Sequence, residues 1–291
     1  MKLDKNMKIL IVGLGLLGGS YAESLTRQGY TVYAITRSQS SIDHAMAEGM
    51  ISEGAAFVDP RLVGEADLVV FALYPHVFVD WIREHQSLFK SGAVITDVTG
   101  VKSCVVKEIG DMLRPDVEFI AAHPMAGREC SGVQNADESI FKGANYVVTP
   151  GEKNTPEAIA LCEDLGRVLG FARISRLSPK EHDEIIAFVS QLTHCIAVAL
   201  MTCTPSGGEH TNRLEEYTGD SFRDLTRIAR LNDEMWSELF LLNKNALLHQ
   251  MTVFEGELNR MRSMLELDDV EGLRDMMRKS TARRALFDKK V

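Results

Sequence analysis

No Cys-x-x-Cys pair occurs among the five cysteines, Cys104, Cys130, Cys162, Cys195 and Cys203. Their scatter argues against a structural zinc and reads as the reduced thiols of a cytoplasmic protein, so no metal is expected. Positive charge is also scarce: 32 Lys and Arg face 41 Asp and Glu, a net charge of -9. That balance disfavours nucleic acid and anionic membrane surfaces as partners, and any anionic ligand must be held by local cations. No apolar run is expected to span a bilayer, because the richest, Ile185 to Met201, is interrupted by Ser190, Gln191, Thr193 and His194. No hydrophobic leader is expected either, since Met1 to Lys8 runs straight into a first strand. Internal repeats and low-complexity tracts are missing too. What remains is an ordinary globular composition over 291 residues, long for one domain and suited to two.

The apolar run Ile9 to Val12 leads directly into Gly13-Leu14-Gly15-Leu16-Leu17-Gly18. A strand, a glycine-rich turn and a helix in that order form a cradle for a dinucleotide pyrophosphate. The first glycine permits the tight turn, the second lets bare backbone approach the phosphates, and the third lets the helix pack on the sheet with its amides facing the anion. Context strengthens the motif: Ser20 to Arg27 continues as a helix, and Tyr30 to Ile35 alternates into a second strand about twenty residues on. An acidic residue at the end of that second strand would bind the ribose hydroxyls of NAD. The strand ends instead in Thr36-Arg37-Ser38-Gln39-Ser40-Ser41, a cation among hydroxyls that suits the ribose 2′-phosphate of NADP, so NADP is favoured over NAD.

From Met7 to about Leu177 short β-branched runs alternate with helical stretches, as in a parallel sheet covered on both faces. Strands are expected at Lys8 to Val12, Thr31 to Ile35, Leu68 to Ala72, Ala93 to Asp97, Glu118 to Ala121, Asn145 to Thr149 and Ala172 to Arg176, and a helix at Pro156 to Leu169. After Ser178-Pro179 strand signals vanish, and helices are expected over Pro179 to Thr202, Ser221 to Ala229, Glu234 to Leu265 and Asp268 to Phe287. The fold class is therefore a Rossmann-type α/β nucleotide-binding domain, residues 1–177, followed by an all-α domain, residues 178–291. The long Leu- and Met-rich helices need a partner surface, which makes a helical homodimer the expectation. Thr204 to Gly219 reads as a long polar loop.

Three segments offer chemistry. His123 lies in Ala121-Ala122-His123-Pro124-Met125-Ala126-Gly127, just past an expected strand on the edge where an open α/β sheet binds ligands. There it can take the proton of a substrate hydroxyl as hydride leaves the same carbon. Asp183, Ser190 and His194 fall at i, i+7 and i+11 and so share one face of a helix otherwise made of Ile, Val and Ala, implying a wet pocket. Arg223, Arg227 and Arg230 share a face of the Ser221 helix, where guanidinium groups could grip carboxylates.

In order and over nearly the whole chain, the glycine motif, Asp97-Val98-Thr99-Gly100-Val101-Lys102, the HPMAG segment, the His182-Asp183 to His194 helix, Ser221 to Ala229 and Met235-Trp236 resemble the prephenate dehydrogenase family. The resemblance implies a two-domain dimer, a nucleotide-binding domain followed by a helical dimerisation domain, that oxidatively decarboxylates prephenate to 4-hydroxyphenylpyruvate, or arogenate to tyrosine. It implies that His123 is the catalytic histidine, that His194 is a second active-site histidine, and that Arg227 binds substrate carboxylate. Asp183, Ser190 and Trp236 would shape the pocket, with Thr99 beside the cofactor. One departure is visible: many members carry serine where Gly100 stands, and Thr99 or Ser103 is the candidate to supply the missing hydroxyl. Thr36 also replaces an acidic residue common in NAD-using members.

The residues suit that chemistry. Loss of hydride and CO2 from a cyclohexadienyl alcohol gains aromaticity, so the enzyme needs a proton acceptor, a placed nicotinamide and carboxylate clamps, and no metal. Two other readings share the layout. A hydroxyacid dehydrogenase of the 6-phosphogluconate type would rely on a lysine in its helical domain, where this chain offers His194. A non-catalytic NADP sensor would bind without turnover.

Overall fold

The computed structural model of the chain describes residues 2–128, 130–203 and 209–288. A six-stranded parallel sheet is built from β1 (Lys8–Val12), β2 (Thr31–Ile35), β3 (Glu53–Ala55), β4 (Leu68–Phe71), β5 (Val94–Asp97) and β6 (Glu118–Phe119), in the spatial order β3-β2-β1-β4-β5-β6. That order is the doubly wound dinucleotide-binding topology, with its switch point between β1 and β4. The strands are apolar throughout because both faces are covered. Ile9 and Ile11 of β1 pack with Tyr21 and Leu25 of α1 (Leu16–Arg27), while Leu10 and Val12 face the other way, toward Phe71 and toward Phe78 and Trp81 of α4 (Pro75–His85).

Two expectations about the sheet need correction. The strand expected over Glu118 to Ala121 is two strands: Ile120 still donates its amide to Ile95, but β7 (Ala121–Pro124) leaves the parallel sheet. It pairs antiparallel with β8 (Asn145–Thr149), which pairs in parallel with β9 (Arg173–Arg176). The last three strands therefore form their own sheet, and His123 lies within β7, opposite Val147, rather than beyond a strand end. β3 escaped the sequence reading because its three residues, with Gly54 at the centre, carry no β-branched side chain.

The helices supporting the site are α2 (Gln39–Ala47), α3 (Pro60–Glu65), α5 (Ser103–Met112), α6 (Pro156–Val168), α7 (Pro179–Ile186), α8 (Thr193–Thr202), α9 (Asp220–Thr226) and α10 (Asp233–Leu242). Pro179 occupies the first turn of α7, and Ser178 and Glu181 close a reciprocal capping box. A π-helical segment, Ala187–Leu192, joins α7 to α8. Its wider winding corrects the expectation that Asp183, Ser190 and His194 follow one evenly wound stripe. At 24 residues, with an 18-residue stretch of mean hydropathy 1.8, Pro179–Thr202 is also long and apolar enough to cross a bilayer, contrary to the sequence reading. Yet His182, Asp183 and Gln191 are buried along it and hydrogen-bonded to other parts of the protein. The helix expected to run from Glu234 to Leu265 is interrupted at Asn243, which leaves helical geometry. α9 stops at Thr226, Arg227–Ala229 is a 3-10 turn, and Arg230 is extended, so Arg223, Arg227 and Arg230 do not share one helical face. Of the loop expected over Thr204 to Gly219, residues 204–208 lie outside the described residues, and Glu209–Glu216 form a kinked 3-10 segment.

Residues Met1–Asn243 make one compact unit and Lys244–Val291 a second. The second is a helical pair, α11 (Lys244–Glu266) and α12 (Val270–Arg284), which pack on each other across a turn in which Asp268 adopts φ 52°. The pair leaves Leu248, Val253, Phe254, Leu258 and Met277 exposed.

Candidate active site

The turn after β1 has the shape its glycines foretell. Gly13 sits at φ +100°, and a Cβ there would lie 2.5 Å from the Ala72 carbonyl oxygen; at Gly18 it would lie 1.9 Å from the Gly13 carbonyl oxygen. Both positions exclude any side chain. Gly15 differs: it caps α1, and a Cβ built on it meets nothing within 4 Å. No side chain caps this helix and no acidic residue stands in its first turn, which leaves the amides of Leu16, Leu17 and Gly18 at the turn for an anion. The residues present thus fit a dinucleotide pyrophosphate. At the end of β2, Thr36 is half-buried with its amide on Ala55, Arg37 is exposed, and Ser38 caps α2 with its hydroxyl 2.8 Å from that of Ser40.

A second constellation lies beyond β5. Asp97 is fully buried and accepts from the amides of Ala122 at 3.1 Å and Thr99 at 3.0 Å, and from the Lys102 ammonium at 2.6 Å. Lys102 is itself fully buried, a placement tolerable only for a paired cation; burial lowers its pKa while Asp97 opposes the shift. Thr99 contributes its hydroxyl to the same knot, bonding Asp97 and the Val101 carbonyl and accepting from Lys102. This corrects one expectation, because a hydroxyl so committed is not placed to replace the one missing at position 100. The knot shapes the loop so that the amides of Lys102 and Ser103 both reach the Asp183 carboxylate, at 2.8 Å each.

Asp183 Oδ1 also bonds Nδ1 of His182 at 2.9 Å, and His182 Nε2 lies 2.8 Å from Nδ1 of His123. Burial pushes the Asp183 carboxyl up, but His182 and the Ser103 and Lys102 donors outweigh it and hold it below the usual carboxylate range. Burial drives the half-buried His123 imidazole well below the ordinary histidine range, with His182 and Lys102 acting in the same direction. His182 is lowered too, chiefly by burial and against the pull of Asp183. Both rings are therefore neutral at neutral pH. This has a consequence for stability: below pH ~6.5 the unfolded chain takes up protons that the folded one refuses, so folding is weakened as pH falls through that range. Denaturant unfolding at about pH 7.5 and 5.5 should show the lower stability at the acid value; a flat profile would contradict the assignment of two neutral imidazoles.

Of the remaining candidates, His194 and Trp236 meet at α10. Trp236, Leu239 and Asn243 recur at i, i+3 and i+7. Trp236 stacks on His194, with ring centroids 3.9 Å apart. The Leu239 side chain approaches Gly100, and Asn243 donates to the Asp183 carbonyl at 2.9 Å and to Gln191 Oε1 at 2.8 Å. His194 Nδ1 lies 2.8 Å from the Ser190 carbonyl, which makes it a donor there and leaves Nε2 as the acceptor in the neutral ring. The Arg227 turn packs on α8, the helix that carries His194, and Arg227 is exposed. At Gly100 a Cβ would stand 3.6 Å from Leu239 and 3.9 Å from the His123 ring, ordinary contact distances. Gly100→Ser should therefore fold normally, with a melting temperature within about 2 °C of wild type; a drop of more than about 5 °C would show that the position needs glycine.

His182, Lys102 and Gln191 were not singled out by the sequence. His182 could have been, since it precedes Asp183 at the start of the helix that carries His194.

A doubly wound nucleotide fold with a histidine pair, one ring buried and the other half-buried, beside the carboxyl ends of its strands defines a dinucleotide-dependent oxidoreductase. The chain belongs to the prephenate dehydrogenase family: residues 21–172 match the model of the prephenate dehydrogenase nucleotide-binding domain, and residues 178–279 that of the dimerization domain. The glycine turn precedes the first match. Prephenate dehydrogenase of Bacillus subtilis is 31% identical over 269 residues, 91% of this chain and 72% of the relative. Among solved structures, prephenate dehydrogenase from A. aeolicus in complex with hydroxyphenyl propionate and NAD+ superposes with a TM-score of 0.89 at 28% identity, covering 99% of this chain and 100% of that one. Synechocystis arogenate dehydrogenase gives 0.85 at 25% identity, covering 97% and 100%.

Proposed function

We propose that this chain converts prephenate to 4-hydroxyphenylpyruvate and CO2 in tyrosine biosynthesis, with NADP as the preferred oxidant and His123 as the base. The observation that carries the reading is His123 itself: a neutral, half-buried imidazole on β7, beside Gly100 and next to the strand ends that face the dinucleotide turn. When bound, the nicotinamide supplies the hydride acceptor. His123 takes the ring hydroxyl proton as the carbinol carbon becomes a carbonyl, holds it during loss of CO2, and returns it to the phenolate oxygen, so no net proton is released. Arg227 is the proposed clamp on a substrate carboxylate, and His194, Ser190 and Trp236 the proposed wall of the pocket. Thr99 supports the cofactor side through the Asp97 knot, and residues 1–177 and 178–291 are the proposed functional halves.

The preference for NADP rests on Arg37, which is exposed and, among the described residues, forms no ion pair, flanked by Thr36 and Ser38. Arg37→Ala should raise KM for NADP about tenfold to a hundredfold while leaving KM for NAD within twofold, the cost of one charge-assisted contact; equal effects on both would remove Arg37 from the 2′-phosphate site. The likeness to an arogenate dehydrogenase supports arogenate as the second reading. Nicotinamide reduction assayed with prephenate and arogenate, each with NAD and NADP, ranks the four combinations. Prephenate with NADP should be fastest, and no reduction with any pair would leave a sensor. A cytoplasmic homodimer is proposed on the exposed apolar residues Ile185, Phe188, Val189 and Met201 of the α7–α8 helix and on those of α11.

A further inference from the structure

We propose that His182 is a positioning residue that, backed by Asp183, fixes His123 in the tautomer with hydrogen on Nδ1 and a bare Nε2 facing the reacting hydroxyl. The inference rests on His123 being the base, and it deepens that reading by naming what makes the imidazole basic at the correct nitrogen.

The direction of the relay follows from its far end. Asp183 receives two main-chain amides, Lys102 N–H on Oδ1 and Ser103 N–H on Oδ2, and main-chain amides can only donate. They keep Asp183 a carboxylate, an acceptor with no hydrogen to give. His182 Nδ1, 2.9 Å from Oδ1, must then carry the hydrogen of that contact, which leaves Nε2 of the neutral ring as a lone pair. His123 Nδ1, 2.8 Å from that lone pair, must in turn be the donor. Only Nε2 of His123 is left without hydrogen, and it is the nitrogen that can take a substrate proton. The reverse arrangement would set two lone pairs against each other at the Asp183–His182 contact. When His123 gains a proton, the imidazolium is already hydrogen-bonded to His182, whose ring is held by an anion.

The charged and titratable groups facing the relay are few and fixed. Asp183 lies on α7 with His182, Asp97 ends β5 and Lys102 lies on the loop that follows, where each neutralises the other at 2.6 Å. His182 is fully buried, so water does not substitute for its Nε2. The relay also joins elements distant in sequence: β7 supplies the base, α7 the two positioning groups, and the loop entering α5 the amides that set the polarity.

The test compares His182→Phe, which keeps a ring but removes the acceptor, with His182→Gln, whose side-chain oxygen can still accept from His123 Nδ1. His182→Phe should lower kcat about a hundredfold to a thousandfold, with KM for substrate and NADP within about twofold, as for loss of a tautomer-setting partner. His182→Gln should recover most of that loss. Nitrogen-15 histidine spectra of the wild-type protein supply a readout independent of any variant: His123 should show a protonated Nδ1 and an unprotonated Nε2, and in His182→Phe the Nε2–H form should appear. A wild-type spectrum with hydrogen on His123 Nε2 overturns the proposal, as does a His182→Phe enzyme with unchanged kcat while His123→Ala is inactive. If His123→Ala itself stays active, the failure belongs instead to the assignment of the base.

Discussion

His123→Ala should lower kcat by about three orders of magnitude while NADP binds within about twofold of wild type, because a positioned general base contributes roughly that much to the chemical step and little to dinucleotide affinity. The split follows from where the residue sits. The proposed pyrophosphate cradle, Gly13 to Gly18, runs from the end of β1 into the start of α1, whereas His123 belongs to β7 in the other sheet, tied to the chain through His182 and through its register with Val147. Removing the imidazole takes away the acceptor and leaves the turn alone. It also leaves His182 Nε2 without its donor in a buried place, a cost to stability of about 1–3 kcal/mol that should appear as a modestly lower melting temperature. A variant with near-normal kcat would remove His123 from the reaction, and one that lost NADP binding in parallel would show that the two sheets are not independent in function.

Gly15→Asp should weaken NADP binding by two to three orders of magnitude without unfolding the protein. A Cβ at Gly15 meets nothing within 4 Å, so the fold accepts a side chain there, but the carboxylate would stand at the helix terminus proposed to hold the phosphates. Two like charges at about 4 Å in partly screened surroundings repel by about 4 kcal/mol, which is that loss of affinity. Gly18→Ala is the contrasting case: its methyl would lie 1.9 Å from the Gly13 carbonyl oxygen, and backbone must move. That variant should lose stability and binding together. Equilibrium titration with NADP beside thermal unfolding separates the two behaviours. A Gly15→Asp protein that binds NADP as wild type does would place the pyrophosphate elsewhere.

What the sequence revealed and what it hid divide along a physical line. Local constraints were legible: the spacing of Gly13, Gly15 and Gly18, the apolar strands β1, β2 and β8, and the first-turn Pro179 each follow from the needs of a few adjacent residues. Contacts distant along the chain were not. The pairing of His123 with His182 spans 59 residues, and the amides that hold Asp183 come from 81 and 80 residues away. The sequence around Lys102 does not show that the turn of the chain after β5 buries it against Asp97. The π segment was hidden for another reason, since residues 187–192 are as compatible with an α-helix and only tertiary packing selects the wider turn. The split of β6 from β7 at Ile120 likewise depends on which partner strand lies nearby, a fact absent from four consecutive apolar residues.

The proposed reaction depends on proton transfer to His123. Its most direct test is a crystal structure of the protein with oxidised dinucleotide and 4-hydroxyphenylpyruvate. Transfer to His123 requires the ring hydroxyl within hydrogen-bond reach of His123 Nε2, with the nicotinamide facing the carbon that bears it. A product hydroxyl bonded to another residue, with the His123 ring turned from the cavity, would contradict it.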